Sequence, residues 1–112
     1  YQRSRMPMFA WSSQARGFFS GRFHPDEVTD ETVARVYYTP ENWARLARAQ
    51  ELGAARGFTA IQVALAWVLH QPFPVWALVG PANVEELRSC VQALELELTP
   101  EEVTWLDTGP TP

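Results

Sequence analysis

The sequence predicts a helix-rich α/β fold with parallel strands. Two short apolar runs, residues 6–11 and residues 75–79, read as buried strands and stand far apart in the chain. Between and after them lie repeated helix-start signals at Thr39, Thr59, Asn83 and Thr99. Strands joined by long helical crossovers pair in parallel. Two strands alone make no stable sheet, so either the helices carry the fold or further strands come from elsewhere.

The first strand holds Met8, Phe9 and Trp11, with Pro7 at its start, where a lost donor is tolerated. Residues 12–21 are polar and glycine-bearing, which predicts a turn. Residues 23–29 form a loop marked by Pro25 and Asp26. A short helix is expected over 30–38. Thr39, Pro40 and Glu41 start the next, with Trp43, Leu46 and Ala47 as its apolar face and Glu41–Arg45 as a pair on its wet face. Gly53 and Gly57 weaken its end.

Thr59-Ala60-Ile61-Gln62 is a capping box. The helix it opens, through His70, is apolar nearly all round and must be covered on several sides. Pro72 and Pro74 stop it, and the second strand follows. Gly80-Pro81 turns the chain, and Asn83 with Glu86 caps a helix whose face is Val84, Leu87, Val91 and Leu94. Leu94, Leu96 and Leu98 alternate with Glu95 and Glu97, an amphipathic loop or strand edge. Thr99-Pro100-Glu101-Glu102 is a second capping box, opening a last helix with Val103 and Leu106.

Composition narrows the function. The chain is 46% hydrophobic and 20% charged, which supports one packed domain over residues 1–112. A net charge of -4 argues against nucleic acid or an anionic membrane as partner. No apolar run is long enough to span a bilayer. The single cysteine, Cys90, excludes an internal disulfide and suits a reduced, cytoplasmic setting. The chain starts at Tyr1, which suits a fragment or a processed product. All nine basic residues are Arg. Without Lys there is no Schiff-base chemistry and no Lys-assisted proton donor. His24 and His70 lack metal-ligand spacing, so no metal site is expected.

Three segments together resemble the aldo-keto reductases. Residues 9–21, with Trp11, Ser12, Ser13, Gln14, Gly17 and Gly21, are similar to the family's seventh strand and its loop, an aromatic-Ser-Pro-Leu run ending in Gly-Lys. Residues 59–69 resemble the Thr-x-x-Gln-x-Ala-Leu-Ala-Trp helix before the last strand. Residues 75–98 with 99–102 resemble strand eight, its loop and the closing helices. The resemblance implies a partial (β/α)8 (TIM) barrel, the last two strands with their helices. It implies an oxidoreductase using NADP or NAD, without assuring binding by this chain alone.

Carried over residue by residue, Trp11 stands where the family stacks an aromatic on the nicotinamide; a core position at the strand end fits it equally. Ser12 stands near the pyrophosphate, and Ser13 and Gln14 replace Pro-Leu with added donors. Gly17 and Gly21 suit close backbone approach or simple turns. Gly80, Pro81, Ala82 and Asn83 occupy the loop and helix start that meet the adenosine phosphate, with Asn83 suited to capping. Many family members have a basic side chain where this chain has Ala82 or Glu86; here one is a methyl and the other an acid, and the acid would repel a 2′-phosphate. Ser89 and Cys90 stand in place of a Glu-Asn pair near adenine. The family's catalytic Tyr, Lys, Asp and His match no residue here, so no catalytic residue is expected and the chain alone is expected to be inactive. The implied partners are a complementary first-half chain or further copies in a homo-oligomer. The alternative is a free-standing, non-catalytic helical interaction module.

Overall fold

The computed structural model describes residues 1–110. Two strands, β1 (Met8–Ala10) and β2 (Val75–Ala77), pair in parallel, Met8 opposite Val75 and Ala10 opposite Ala77. Around them lie α1 (Glu31–Tyr37), α2 (Pro40–Arg56), α3 (Ala60–Leu69), α4 (Val84–Gln92) and α5 (Pro100–Thr108), with 3₁₀ turns at Ala15–Ser20 and Ala93–Glu95.

The caps follow the sequence. The Asp30, Thr39 and Asn83 side chains accept amide hydrogens from the first turns of α1, α2 and α4. Thr59 and Thr99 form reciprocal capping boxes with Gln62 and Glu102. The predicted helices are therefore present, each ending within a residue or two of its expected bounds.

Helix α3 lies at the centre. Its Val63 and Ala66 pack with Ala49 and Leu52 of α2, Leu96, Leu98 and Leu106. Leu65 packs with Cys90 and Ala93. A second cluster gathers Phe18, Phe23, Val33 and Leu46, walled by Tyr37, Tyr38 and Trp43. Gln62, the one buried polar residue among those described, donates to the Ser89 carbonyl and the Gln92 side chain, so the amide that caps α3 also fastens α4. At the other end, His70 Nδ1 lies 2.7 Å from the Ala66 carbonyl and Nε2 accepts the Leu98 N–H at 3.2 Å. These two partners put the proton on Nδ1.

Several expectations are corrected. The strands are shorter than 6–11 and 75–79 and are covered on one face only. Phe9 is 64% exposed and Trp76 52%, and their rings stack at 5.5 Å on the side away from the helices. Two strands have one layer of helices to cover them, so alternate side chains have no neighbour. The same lack of a neighbour leaves Val84, Leu87, Val91 and Leu94 exposed. Leu96 and Leu98 are buried, but Leu94 ends in a 3₁₀ turn rather than a strand edge. Ala47 faces solvent, and Ala49, Leu52 and Gly53 join the expected Leu46 in the buried stripe of α2. Arg45 pairs not with Glu41 but with Asp107, at 2.7 Å, joining α2 to α5. Gly53 does more than loosen a helix end. It lets the Phe58 carbonyl approach α2, and its carbonyl accepts the Phe58 N–H at 2.9 Å.

A side chain at position 53 would collide with the Phe58 backbone, which a flexible neighbour cannot relieve. Gly53→Ala is expected to lower unfolding stability by about 2–3 kcal/mol despite the better helix propensity of Ala, measured by urea denaturation. A second expectation concerns acid. The Thr99 N–H, with the Arg56 guanidinium at 2.7 Å, holds the Glu102 carboxyl below the usual carboxylate range. A lowered folded value adds stability at neutral pH that is lost as pH falls through the glutamate range. Both groups are partly exposed, so solvent screening keeps the pair to about 1 kcal/mol or less. The stability gap between the parent chain and Glu102→Gln should close between about pH 5 and pH 3.

Candidate functional site

The chain leaves β1 at Trp11 and enters a tight turn. Ser12, Ala15 and Arg16 have φ of 51°, 51° and 55°, and Gly17 and Gly21 have 86° and 83°. For side-chain-bearing residues that backbone costs about 1 kcal/mol or more each. Such strain is concentrated here: of the non-glycine residues with positive φ among those described, three of the four lie in this turn. Segments that mix left-handed and helical residues turn successive amides to one side and make anion-binding concavities.

The turn faces the segment that follows β2. Ser13 Oγ donates to the Leu78 carbonyl at 3.1 Å, and the Leu78 N–H donates to the Ala10 carbonyl at 2.9 Å. Cys90, the buried residue of α4, has its Sγ 3.9 Å from the Gln14 side-chain oxygen. Between the two segments lies an open cleft of about 560 Å³. One wall carries Ser12, Ser13, Gln14, Arg16, Gly17, Ser20 and Arg22; the other carries Leu78, Val79, Gly80, Pro81, Glu86, Ser89 and Cys90. The cleft sits at the carboxyl ends of both parallel strands, where open α/β sheets and barrels bind ligands.

The structure brings Ser12, Ser13, Gln14, Gly80 and Pro81 together in this cleft. Trp11 stands apart from it. It is 79% exposed and borders a neighbouring, mainly apolar hollow of about 490 Å³ shared with Phe19, Val36 and Trp67. A core role for Trp11 within this chain is thereby excluded. Ala82 and Asn83 do not line the cleft. Asn83 Oδ1 accepts the Glu86 N–H at 2.9 Å, and the Ala82 N–H donates to Glu86 Oε2 at 2.7 Å.

Two lining residues were not singled out in the sequence, Arg16 and Arg22. Neither guanidinium meets a carboxylate among the described residues; Arg22 lies against Gly17 and over the Phe23 ring at 4.9 Å. Arg22 had a signal, since Gly21-Arg22 stands where the resemblance puts Gly-Lys. Arg16 had none. Among the described residues, no three His, Cys, Asp or Glu side chains gather as metal ligands would, and no single helix is long and apolar enough to cross a membrane.

Parallel strands with helical crossovers and an arginine-bearing cleft at their carboxyl ends define an α/β module suited to an anionic ligand. The chain belongs to the aldo/keto reductase family, whose model matches residues 1–108. It is 32% identical over 92 residues to an uncharacterised oxidoreductase of Bacillus subtilis, covering 82% of this chain and 28% of that protein. It is 28% identical over 112 residues to a Schizosaccharomyces pombe protein named as a candidate aryl-alcohol dehydrogenase, covering 95% of this chain and 31% of that protein. The chain thus spans less than a third of these relatives. The family implies a TIM barrel, with which a parallel strand pair and its helices are compatible, and it generally uses NAD(P)H. The residues of the first wall suit a dinucleotide's pyrophosphate: two guanidiniums without carboxylate partners, two exposed serines and a turn of left-handed residues.

The strain in this turn is open to measurement. Arg16→Gly relieves a left-handed side chain at the cost of a more flexible unfolded chain. The net expectation is a gain of about 0.5 kcal/mol in urea denaturation, against the losses usual for Gly elsewhere. A loss of stability would show that position 16 is unstrained.

Proposed function

We propose that this chain forms the cofactor side of an NAD(P)H-dependent aldo-keto reductase, holding the nucleotide itself and supporting turnover only when completed by the rest of a barrel. The observation that carries the reading is the cleft at the carboxyl ends of β1 and β2, with its strained turn and two arginines that meet no carboxylate among the described residues. A nicotinamide cofactor, when bound, supplies the hydride for carbonyl reduction. Here Arg16 and Arg22 would take the pyrophosphate as charge-assisted donors. Ser12 would add a hydroxyl beside it, Ser13 would tie the two walls together through the Leu78 carbonyl, and Gly80 with Pro81 would form the opposite wall. Trp11, bare at the strand end, would offer a flat face to the nicotinamide.

The chain has no Lys, so a Tyr-Lys proton donor must come from other residues of a longer protein or from a separate chain. The open sheet supports that need. Both strands have an unpaired edge, and Phe9, Trp76 and Leu78 are half-exposed, as expected of strands whose neighbours lie elsewhere. A cytoplasmic setting goes with this reading.

A second reading has its own support. The bare faces of the sheet and of α4 would also drive association of copies of this chain, as a homo-oligomer without catalysis. One titration separates the two. Adding NADH or NADPH to the purified chain should quench its tryptophan fluorescence, and Arg22→Ala should weaken that quenching about tenfold. No turnover of a carbonyl substrate is expected from the chain alone. Indifference to both nucleotides, with oligomers seen by light scattering, would favour the interaction module.

A further inference from the structure

We infer that Ser13 and Gln14 are positioning residues: they tie the strained turn to the opposite wall and set the width of the cleft before an anionic ligand arrives. The consequence for binding rests on the reading of the cleft as a cofactor site; the ties themselves do not.

Two side-chain contacts cross the cleft among the described residues. Ser13 Oγ donates to the Leu78 carbonyl at 3.1 Å, just beyond the strand ladder. Cys90 Sγ donates to Gln14 Oε1 at 3.9 Å. Neighbouring residues of one wall thus reach two different elements of the other, the segment after β2 and α4. Two such points fix both distance and tilt, where one would leave a hinge. The Pro and Leu that the resemblance puts at positions 13 and 14 could make neither contact, so the ties belong to this chain's own sequence.

The turn needs holding. Ser12, Ala15 and Arg16, on either side of the pair, have left-handed backbone, and Gly17 follows with φ of 86°. Residues with side chains leave that region when nothing around them fixes it. Inside the turn, the Ala15 N–H donates to the Ser12 carbonyl at 2.9 Å and the Gly17 N–H to the Gln14 carbonyl at 3.1 Å. These local bonds define its shape but not its place. Its far end is anchored by the fully buried Phe18. Between the strand and that anchor, Ser13 and Gln14 bind it to the second wall. Losing one of these bonds lets strained residues relax, so the folded chain changes little in stability. A ligand feels the loss in full, because it must restore the strained turn in order to bind. A residue that only stabilised the fold would show the reverse. Gln14 also covers the thiol: Cys90 lines the cleft yet is 8% exposed, so its accessibility reports whether the turn is in place.

The experiment compares the 112-residue chain with its Ser13→Ala, Ser13→Thr and Gln14→Ala variants. Cys90 is the chain's one cysteine, so alkylation by iodoacetamide is read directly by mass. That reagent is small and uncharged, and the arginines do not attract it. Ser13→Ala and Gln14→Ala should each speed alkylation at least about threefold, with the midpoint of urea denaturation unmoved. Affinity for NADH and NADPH, read by tryptophan quenching, should fall about fivefold in Ser13→Ala. Ser13→Thr, which restores the hydroxyl, should return it to within about twofold of the parent. Alkylation unchanged in both variants overturns the inference. So does a Ser13→Ala chain that loses stability in proportion to affinity, or a Ser13→Thr chain that binds no better than Ser13→Ala. If the parent chain binds neither nucleotide, the cofactor reading fails, and alkylation alone then decides whether the two side chains hold the turn.

Discussion

The burial of α3 is the constraint on which the rest of the structure depends. A helix of Ile, Val, Ala, Leu and Trp cannot stand in water on any side. The chain meets this by wrapping α2, the strand pair, α4 and the Ala93–Leu98 segment around it. Val63 and Ala66 are fully buried. Small side chains such as Ala66 let neighbouring backbones close in, and Gly53 does the same on α2. The polar groups on this helix are used as fasteners. Gln62 ties its start to α4, Trp67 Nε1 donates to the Val103 carbonyl of α5, and His70 ties its end to Leu98.

Much of this was legible because it is local. Caps are set by one side chain and the amides two or three residues on, so Asp30, Thr39, Thr59, Asn83 and Thr99 could be read directly. Parallel pairing followed from the length of the crossover. Burial was harder, because periodicity shows which residues share a face and not whether anything covers that face. Val84, Leu87 and Val91 share a face as the spacing says, yet they stay exposed because nothing in residues 1–110 packs there. Arg45 pairs with Asp107 rather than Glu41 for a similar reason: a partner distant in sequence but held beside α2 offers both its carboxylate and its backbone carbonyl to the guanidinium.

The cleft was half legible. Ser12, Ser13, Gln14, Gly80 and Pro81 came from resemblance to a motif. Arg16 could not, because its presence in the cleft depends on left-handed backbone at Ala15 and Arg16 that neither residue type favours. Glu86 was visible as part of a helix-start signal, but its bond reaches back beyond the cap residue to Ala82. A pattern of residue types cannot distinguish that arrangement from an ordinary capping box.

The proposed separation between a cofactor side and the reacting groups would have a physical basis. Both cleft walls hang from β1 and β2, which are neighbours in one ladder, and Ser13 to Leu78 and Leu78 to Ala10 bind the walls together just above it. The aromatic cluster around Phe18 anchors the far end of the strained turn against α1 and α2. These contacts all lie within residues 1–110. What other elements would supply is cover for Phe9, Trp76 and the face of α4, and cover affects stability and association more than the geometry of the cleft. The turn can store strain because it is pinned at both ends, by the ladder on one side and by the Phe18 cluster on the other. The cleft so framed has arginine on one wall and Glu86 on the other, a charge asymmetry fixed by the same two strands that hold the walls together.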